Sequence, residues 1–212
     1  YEIILILRVL YQKLILNKMK FALLICTYNV EKRQQMYSDV IHWWMTNSSF
    51  DIFIVDSSNN NFSDDIESKC KVLHFDQSIH TKCTGSSTVL ELLSLNQAYN
   101  TFQNDWKEYD YLIKLTGKYT LPKLTEVLKK SVVDKNNHLI CQSRKTKNNQ
   151  NTELVIFNSA HFKSILERMG KESGLLESII SKVSKHIPST NLPRLDNTSK
   201  YKRGAGDMMH FL

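Results

Sequence analysis

Short apolar runs alternate with helix-period segments along this chain, and that alternation constrains its fold more than any other feature. The candidate strands are Phe21 to Thr27, Ile52 to Asp56, Lys71 to Phe75, Tyr111 to Leu115, Leu139 to Gln142, and Leu154 to Phe157. Between the first two, Met36, Val40 and Trp44 form a helical stripe within a segment from Glu31 to Met45. Thr88-x-x-Glu91 reads as a capping box that opens a helix running to Phe102. Leu121-Pro122 starts another helix, with proline in the first turn, where its missing N–H costs nothing. Two more helices are expected over Ala160 to Met169 and Gly174 to Lys185, whereas Lys145 to Asn151 reads as a loop and Ser189 to Gly206 as an irregular tail. Strands alternating with helices predict an α/β fold: one domain over residues 20–212, with a mostly parallel sheet of about six strands flanked by helices.

Residues 1–19 precede that pattern. Ile3, Ile6, Leu7, Leu10 and Leu14 fall on one helical face, but Arg8, Gln12 and Lys13 interrupt the apolar run. The segment is too broken for a transmembrane span, which needs about 20 apolar residues, and it has no cleavage-site pattern. It reads as an amphipathic extension packed on the domain, with peripheral membrane contact or partner binding as the other readings. Four cysteines without a C-x-x-C pair offer no zinc site and no obvious disulfide framework, so a reduced, cytoplasmic compartment is expected. The net charge of +7 raises the question of nucleic acid. The lysines are scattered, however, and no zinc-finger spacing, RNP motif or basic zipper is present. A site that receives a diphosphate accounts for the excess more economically.

In an open α/β sheet, ligands bind beyond the carboxyl ends of the strands. Here those ends carry Thr27-Tyr28-Asn29, Asp56-Ser57-Ser58-Asn59, Asp76-Gln77-Ser78 and Thr116-Gly117-Lys118-Tyr119, all polar behind apolar strands. The first turn has no G-x-G-x-x-G, and no G-x-x-x-x-G-K-[ST] occurs anywhere, which disfavours dinucleotide enzymes and P-loop NTPases. A polar ligand of another kind is implied.

FALLICTYNVEKR followed by IFIVDSSNN resembles the opening of the GT-A glycosyltransferases, whose first strand ends in a [PT]-x-N-like turn and whose second ends in aspartate. YDYLIKLTGKYTLP looks like their phosphate- and metal-handling strand and turn, QNTELVIFNSAHF is similar to a later acceptor-side strand, and RGAGDMMH resembles a closing loop ending in a metal-binding histidine. The KLTGKY form looks most like the enzymes with which large DNA viruses, such as the chlorella viruses, glycosylate their capsid protein. The resemblance implies transfer of a sugar from a UDP-sugar to a hydroxyl of a glycan or glycoprotein acceptor, in the host cytoplasm if the chain is viral. A sugar nucleotidyltransferase and a non-catalytic glycan- or nucleic-acid-binding module are the alternatives.

On that resemblance, Asp56 accepts uracil N3–H, against a plain Asx turn as the simpler reading. Thr27, Tyr28 and Asn29 line the base and ribose pocket, with Tyr28 stacking; the simpler reading has Asn29 capping a helix. Arg33 reaches a phosphate or lies on a solvated face, and Asp76 and Ser78 touch ribose hydroxyls. Glu177 stands where the family keeps its general base, with Glu153 as its rival. No two aspartates have the Asp-x-Asp spacing of the family's metal motif; Leu115-Thr116-Gly117 stands in its place. Two routes remain for neutralising the diphosphate: Mn²⁺ or Mg²⁺ held by Asp207 and His210, or direct pairing with Lys118 and Arg203.

Overall fold

The computed structural model describes residues 19–80, 86–130, 136–143 and 150–192. Seven strands form one sheet: β1 (Phe21–Thr27), β2 (Asp51–Asp56), β3 (Lys71–His74), β4 (Tyr111–Thr116), β5 (Leu139–Ser143), β6 (Gln150–Asn158) and β7 (Ser189–Leu192), in the order β3-β2-β1-β4-β6-β5-β7. Strands β3, β2, β1 and β4 run parallel, β6 runs antiparallel to both β4 and β5, and β7 runs parallel to β5. The helices are α1 (Glu31–Asn47), α2 (Asp64–Lys69), α3 (Gln77–His80), α4 (Ser87–Phe102), α5 (Leu124–Lys130), α6 (Phe162–Met169) and α7 (Leu176–Ser184). No helix among the described residues is long and apolar enough to cross a membrane.

Strand β1 shows why the sheet sits at the centre. Ala22, Leu23, Leu24 and Ile25 are all fully buried, so the run is apolar at every position rather than at alternate ones, as a strand covered on both faces requires. On one face Leu23, Ile25 and Ile54 meet Tyr37, Ile41 and Trp44 of α1. On the other, Leu24, Phe53 and Val155 meet Leu95 and Phe102 of α4, Phe162 of α6 and Ile179 of α7. The chain moves outward from β1 to β2 and β3, then returns across the sheet to β4 on the other side of β1. In open sheets of this kind such a reversal marks the binding crevice, here at the carboxyl ends of β1 and β4.

The structure departs from the sequence reading in five places. Ser189–Leu192 is a strand rather than the start of an irregular tail, because it finds β5 as a parallel partner. Strand β6 begins at Gln150, inside the stretch read as loop. The short helices α2 and α3 were not expected; at six and four residues they are too brief to show a period. Helix α5 begins at Leu124, after Pro122. Thr88 lies within α4 instead of capping it: Ser86 is the N-cap and makes no side-chain cap bond, and the Thr88 hydroxyl oxygen accepts from the Leu176 N–H at 3.1 Å. Of the amphipathic extension expected over residues 1–19, all but Met19 lies outside the described residues.

Candidate active site

The crevice between β1 and β4 is closed around a glycine. The Gly117 N–H donates to the Cys26 carbonyl at 3.0 Å, drawing the turn after β4 onto β1. A Cβ at Gly117 would lie 2.7 Å from Thr27 Cγ2 and 3.0 Å from Tyr37 Cδ1, so no larger residue fits without displacing one of them. The Lys118 N–H then donates back to the Thr116 carbonyl at 2.7 Å, a tight turn that sets Lys118 half-buried at the crevice. On the opposite lip, the Val30 N–H donates to the Tyr28 carbonyl at 2.9 Å, and the Tyr28 side chain stands 36% exposed.

Asp56 behaves otherwise than its sequence context suggests. It is fully buried, and its two oxygens accept four hydrogen bonds: Oδ1 from the Asn29 N–H (2.7 Å) and the Thr27 hydroxyl (3.0 Å), Oδ2 from the Ser58 N–H (3.0 Å) and hydroxyl (2.6 Å). The oxygens expected to accept uracil N3–H are here occupied by the protein's own donors. Through them the residue ties the turn after β1 to the turn after β2. Ser57 adds two bonds to the Thr27 carbonyl, both 3.2 Å. Asn29 is likewise turned inward and 1% exposed, its side-chain amide donating to the Asn60 and Asn61 carbonyls at 3.4 and 3.2 Å. It caps no helix, since α1 takes Val30 as its N-cap with no side-chain bond.

The other candidates divide by how they are held. Arg33, in the first turn of α1, is hydrogen-bonded to the Tyr37 hydroxyl. Burial raises the Tyr37 phenol above its ordinary range, and Arg33 opposes that shift. Asp76 accepts from the Ser78 N–H (2.8 Å) and hydroxyl (2.6 Å), the hydroxyl bond doing most to hold its carboxyl below the usual range. Both residues thus bond to each other at the start of α3. Because β6 runs antiparallel to β4, with Leu154 opposite Leu115, it delivers Glu153 to the carboxyl end of β4. There the Tyr119 hydroxyl donates to Glu153 Oε1 at 2.7 Å, and Tyr119 is itself fixed by the Trp44 indole N–H on its carbonyl at 3.1 Å. Glu177 lies in the first turn of α7, whose start is bonded to the start of α4 through Leu176 and Thr88. Helix α4 follows β3 and precedes the parallel β4, so its start, and Glu177 with it, belongs to the same edge of the sheet.

One feature of this edge escaped the sequence reading. Lys114, 2% exposed in the middle of β4, is ion-paired with Glu91 of α4. Burial works against its charge, but Glu91, aided by Cys26 and Glu153, more than compensates and raises the lysine above its ordinary value. Burial also pushes the Cys26 thiol up to about 12. The available signal was a lysine interrupting the apolar run Tyr-Leu-Ile-Lys-Leu.

Among the described residues no three histidine, cysteine or acidic side chains converge to hold a metal ion. Asp207 and His210, the expected ligands, and Arg203 lie outside the described residues.

No protein-family model matches the chain, and no curated protein matches its sequence. Solved structures do match its fold. The glycosyltransferase GlyE of Streptococcus pneumoniae TIGR4 superposes with a TM-score of 0.51 at 12% identity, over 82% of this chain and 45% of that one. The chain thus spans less than half of GlyE. A glycosyltransferase involved in glycosylation of the major capsid of PBCV-1 superposes with a TM-score of 0.50 at 8% identity, over 82% of this chain and 81% of that one. A cytidylyltransferase from Leptospira borgpetersenii gives 0.49 at 18% identity, over 87% and 80%. The reversal of strand order at β1 and β4 and the superposition on GlyE and the PBCV-1 enzyme together give this chain the fold of the GT-A glycosyltransferases.

Proposed function

We propose that the chain transfers a sugar from a nucleotide-sugar donor, with UDP as its nucleotide, to a hydroxyl of a glycan or glycoprotein. The observation that carries this reading is the convergence of an exposed aromatic ring (Tyr28), a cation (Lys118) and two carboxylates (Glu153 and Glu177) on one edge of a glycosyltransferase-type sheet. Tyr28 stacks on the base. Since Asp56 is committed inward, base selection falls to the turn after β2, where Asn59, Asn60 and Asn61 are exposed. The Asn59 and Asn61 amides offer donors and acceptors together, whereas the Asn60 amide nitrogen already donates to the Asn29 carbonyl and the Ser58 hydroxyl.

In the transfer, the acceptor hydroxyl oxygen bonds to the anomeric carbon as the bond from that carbon to the diphosphate oxygen breaks. The electron pair leaves with the nucleoside diphosphate, and the hydroxyl proton passes to Glu177. Lys118 faces the charge that develops on the departing phosphate. Glu153, oriented by Tyr119, holds a hydroxyl of the donor sugar. Asp207 and His210 would hold Mn²⁺ or Mg²⁺, which would supply charge neutralisation at the diphosphate, and Arg203 would add its charge to the same end.

Thermal-shift and calorimetric titration with UDP, GDP, CMP and TDP, each with Mn²⁺ or EDTA, tests the reading. UDP is expected to bind most tightly and to lose affinity in EDTA. Absence of binding by any nucleotide overturns the transferase assignment, and equal binding in EDTA transfers the diphosphate to Lys118 and Arg203.

A further inference from the structure

Where the amino end of β5 meets the start of α6, two histidines stack. The His138 and His161 rings lie with centroids 3.6 Å apart and planes 19° from parallel, and both residues are half-buried. His138 immediately precedes β5, and His161 closes the short turn Ser159–His161 after β6. Because β6 runs antiparallel to β4, with Asn158 opposite Tyr111, this corner lies at the end of the sheet away from the crevice.

The backbones that carry the two rings are anchored independently. The His138 N–H donates to the Pro188 carbonyl at 2.8 Å, and the His138 carbonyl accepts from the Asn158 N–H at 2.9 Å. One residue earlier, the Tyr111 hydroxyl donates to the Asn137 carbonyl at 3.0 Å. On the other side, Asn158 Oδ1 accepts from the Ala160 N–H at 3.1 Å, and the His161 carbonyl accepts from the Ser164 hydroxyl at 2.8 Å. The Ser159 N–H donates to the Asp110 carbonyl at 3.1 Å. The described elements around the pair bring Asp110 and Tyr111 at the start of β4, Lys163 on α6, and Lys185 and His186 ahead of β7. Among the described residues, His161 is the charge that acts on His138. Burial first, and His161 second, hold the His138 imidazole below the ordinary histidine range.

From two imidazoles stacked face to face between anchored segments, we infer that His138 and His161 form an acid-sensitive latch that closes over at most one proton. With one ring protonated the stack holds, since the face of an aromatic ring attracts a cation. With both protonated, like charges face each other across the 3.6 Å stack, and the rings separate. The folded chain thus takes up the second proton less readily than the unfolded one. Stability therefore falls as pH drops below about 6.5, the ordinary histidine value, until both rings are charged. Opening releases the corner that joins β5, β6 and β7 to α6, while the bonded strand ends around Asp56 and Gly117 lie at the other end of the sheet. Acid thereby loosens the outer half of the sheet, which carries Glu153, before it reaches the half built on β1 and β2.

Histidine ring resonances followed from about pH 8 to about pH 4.5, together with backbone amide exchange, test the latch. His138 and His161 are expected to titrate in two coupled steps, the lower at least about one pH unit below the ordinary value, a tenfold loss of proton affinity. Over that lower step the His138 and Asn158 amides should exchange about tenfold faster relative to their intrinsic rates. His161→Phe keeps a ring for the stack and removes the second charge. His138 should then titrate in one step at higher pH, with amide protection no longer falling. His138→Phe gives the converse reading on His161 should the first variant fail to fold. Independent titration of both rings near about pH 6.5, or the same acid loss of protection in His161→Phe, overturns the inference. No donor or acceptor enters the test, so its failure leaves the transferase reading untouched.

Discussion

The two halves of the sheet meet the same edge in different ways. In the β3-β2-β1-β4 half, the strand ends are bonded to one another: Asp56 binds the turns after β1 and β2, Ser57 binds the Thr27 carbonyl, and Gly117 binds the Cys26 carbonyl. In the β6-β5-β7 half, the described candidates arrive on separate elements, Glu153 on an antiparallel strand, bonded by Tyr119, and Glu177 on a helix start. The contrast fits the proposed division of labour. In that proposal the nucleotide is met by a preorganised net of strand-end bonds, while carboxylates mounted on separate elements carry the chemistry.

The sharpest way to break that contrast is to alter each half separately. Glu177→Gln should lower turnover about 10²–10⁴-fold with UDP affinity nearly unchanged, the usual loss when a positioned base is removed. Steady-state kinetics beside calorimetry would show it, and normal turnover in Glu177→Gln with loss in Glu153→Gln would hand the base role to Glu153. Next in size, Asp56→Ala should cost about 2–4 kcal/mol of stability, because it strands the buried Asn29 N–H and Thr27 hydroxyl and leaves the half-buried Ser58 donors without their acceptor. It should abolish UDP binding with it; a urea midpoint equal to wild type would show that the net is not what holds the turns. Gly117→Ala is expected to be milder, about 1–3 kcal/mol from overpacking against Thr27 and Tyr37. Its signature is weakened UDP binding with the acceptor half intact, and unaltered UDP affinity would mean that the close approach at the crevice carries no function.

How much of this could be read from the sequence depends on the range of the interactions involved. Strand β1 and helix α1 were legible because Ala22 to Ile25 and the Met36-Val40-Trp44 stripe express burial directly as hydrophobicity. The strand ends were legible as polar punctuation. The strand β7 was not, since Ser-Thr-Asn-Leu has little intrinsic preference and becomes a strand by pairing with β5. The direction of Asp56 was not legible for a related reason. Its position at the end of β2 was correctly seen, but its direction is set by donors from Asn29 and Ser58, and a linear sequence does not show which way a carboxylate turns. The capping box failed similarly, because Thr88 and Glu91 found partners on α7 and β4 that outcompeted their own helix end. The sites proposed on Arg203, Asp207 and His210 rest on the resemblance alone.

The pairing of Lys114 with Glu91 has a consequence for how this sequence can change over time. Losing Glu91 alone would take from Lys114, sealed in the sheet, its main counter-charge, at a cost of up to about 3–5 kcal/mol. Losing Lys114 alone costs less, because Glu91 is a quarter exposed and water can solvate it. Replacing both with apolar residues of similar size can be close to neutral. A lineage therefore sheds this pair most easily by losing the lysine first. Among relatives of this chain, glutamate at position 91 without lysine at 114 is expected more often than the reverse.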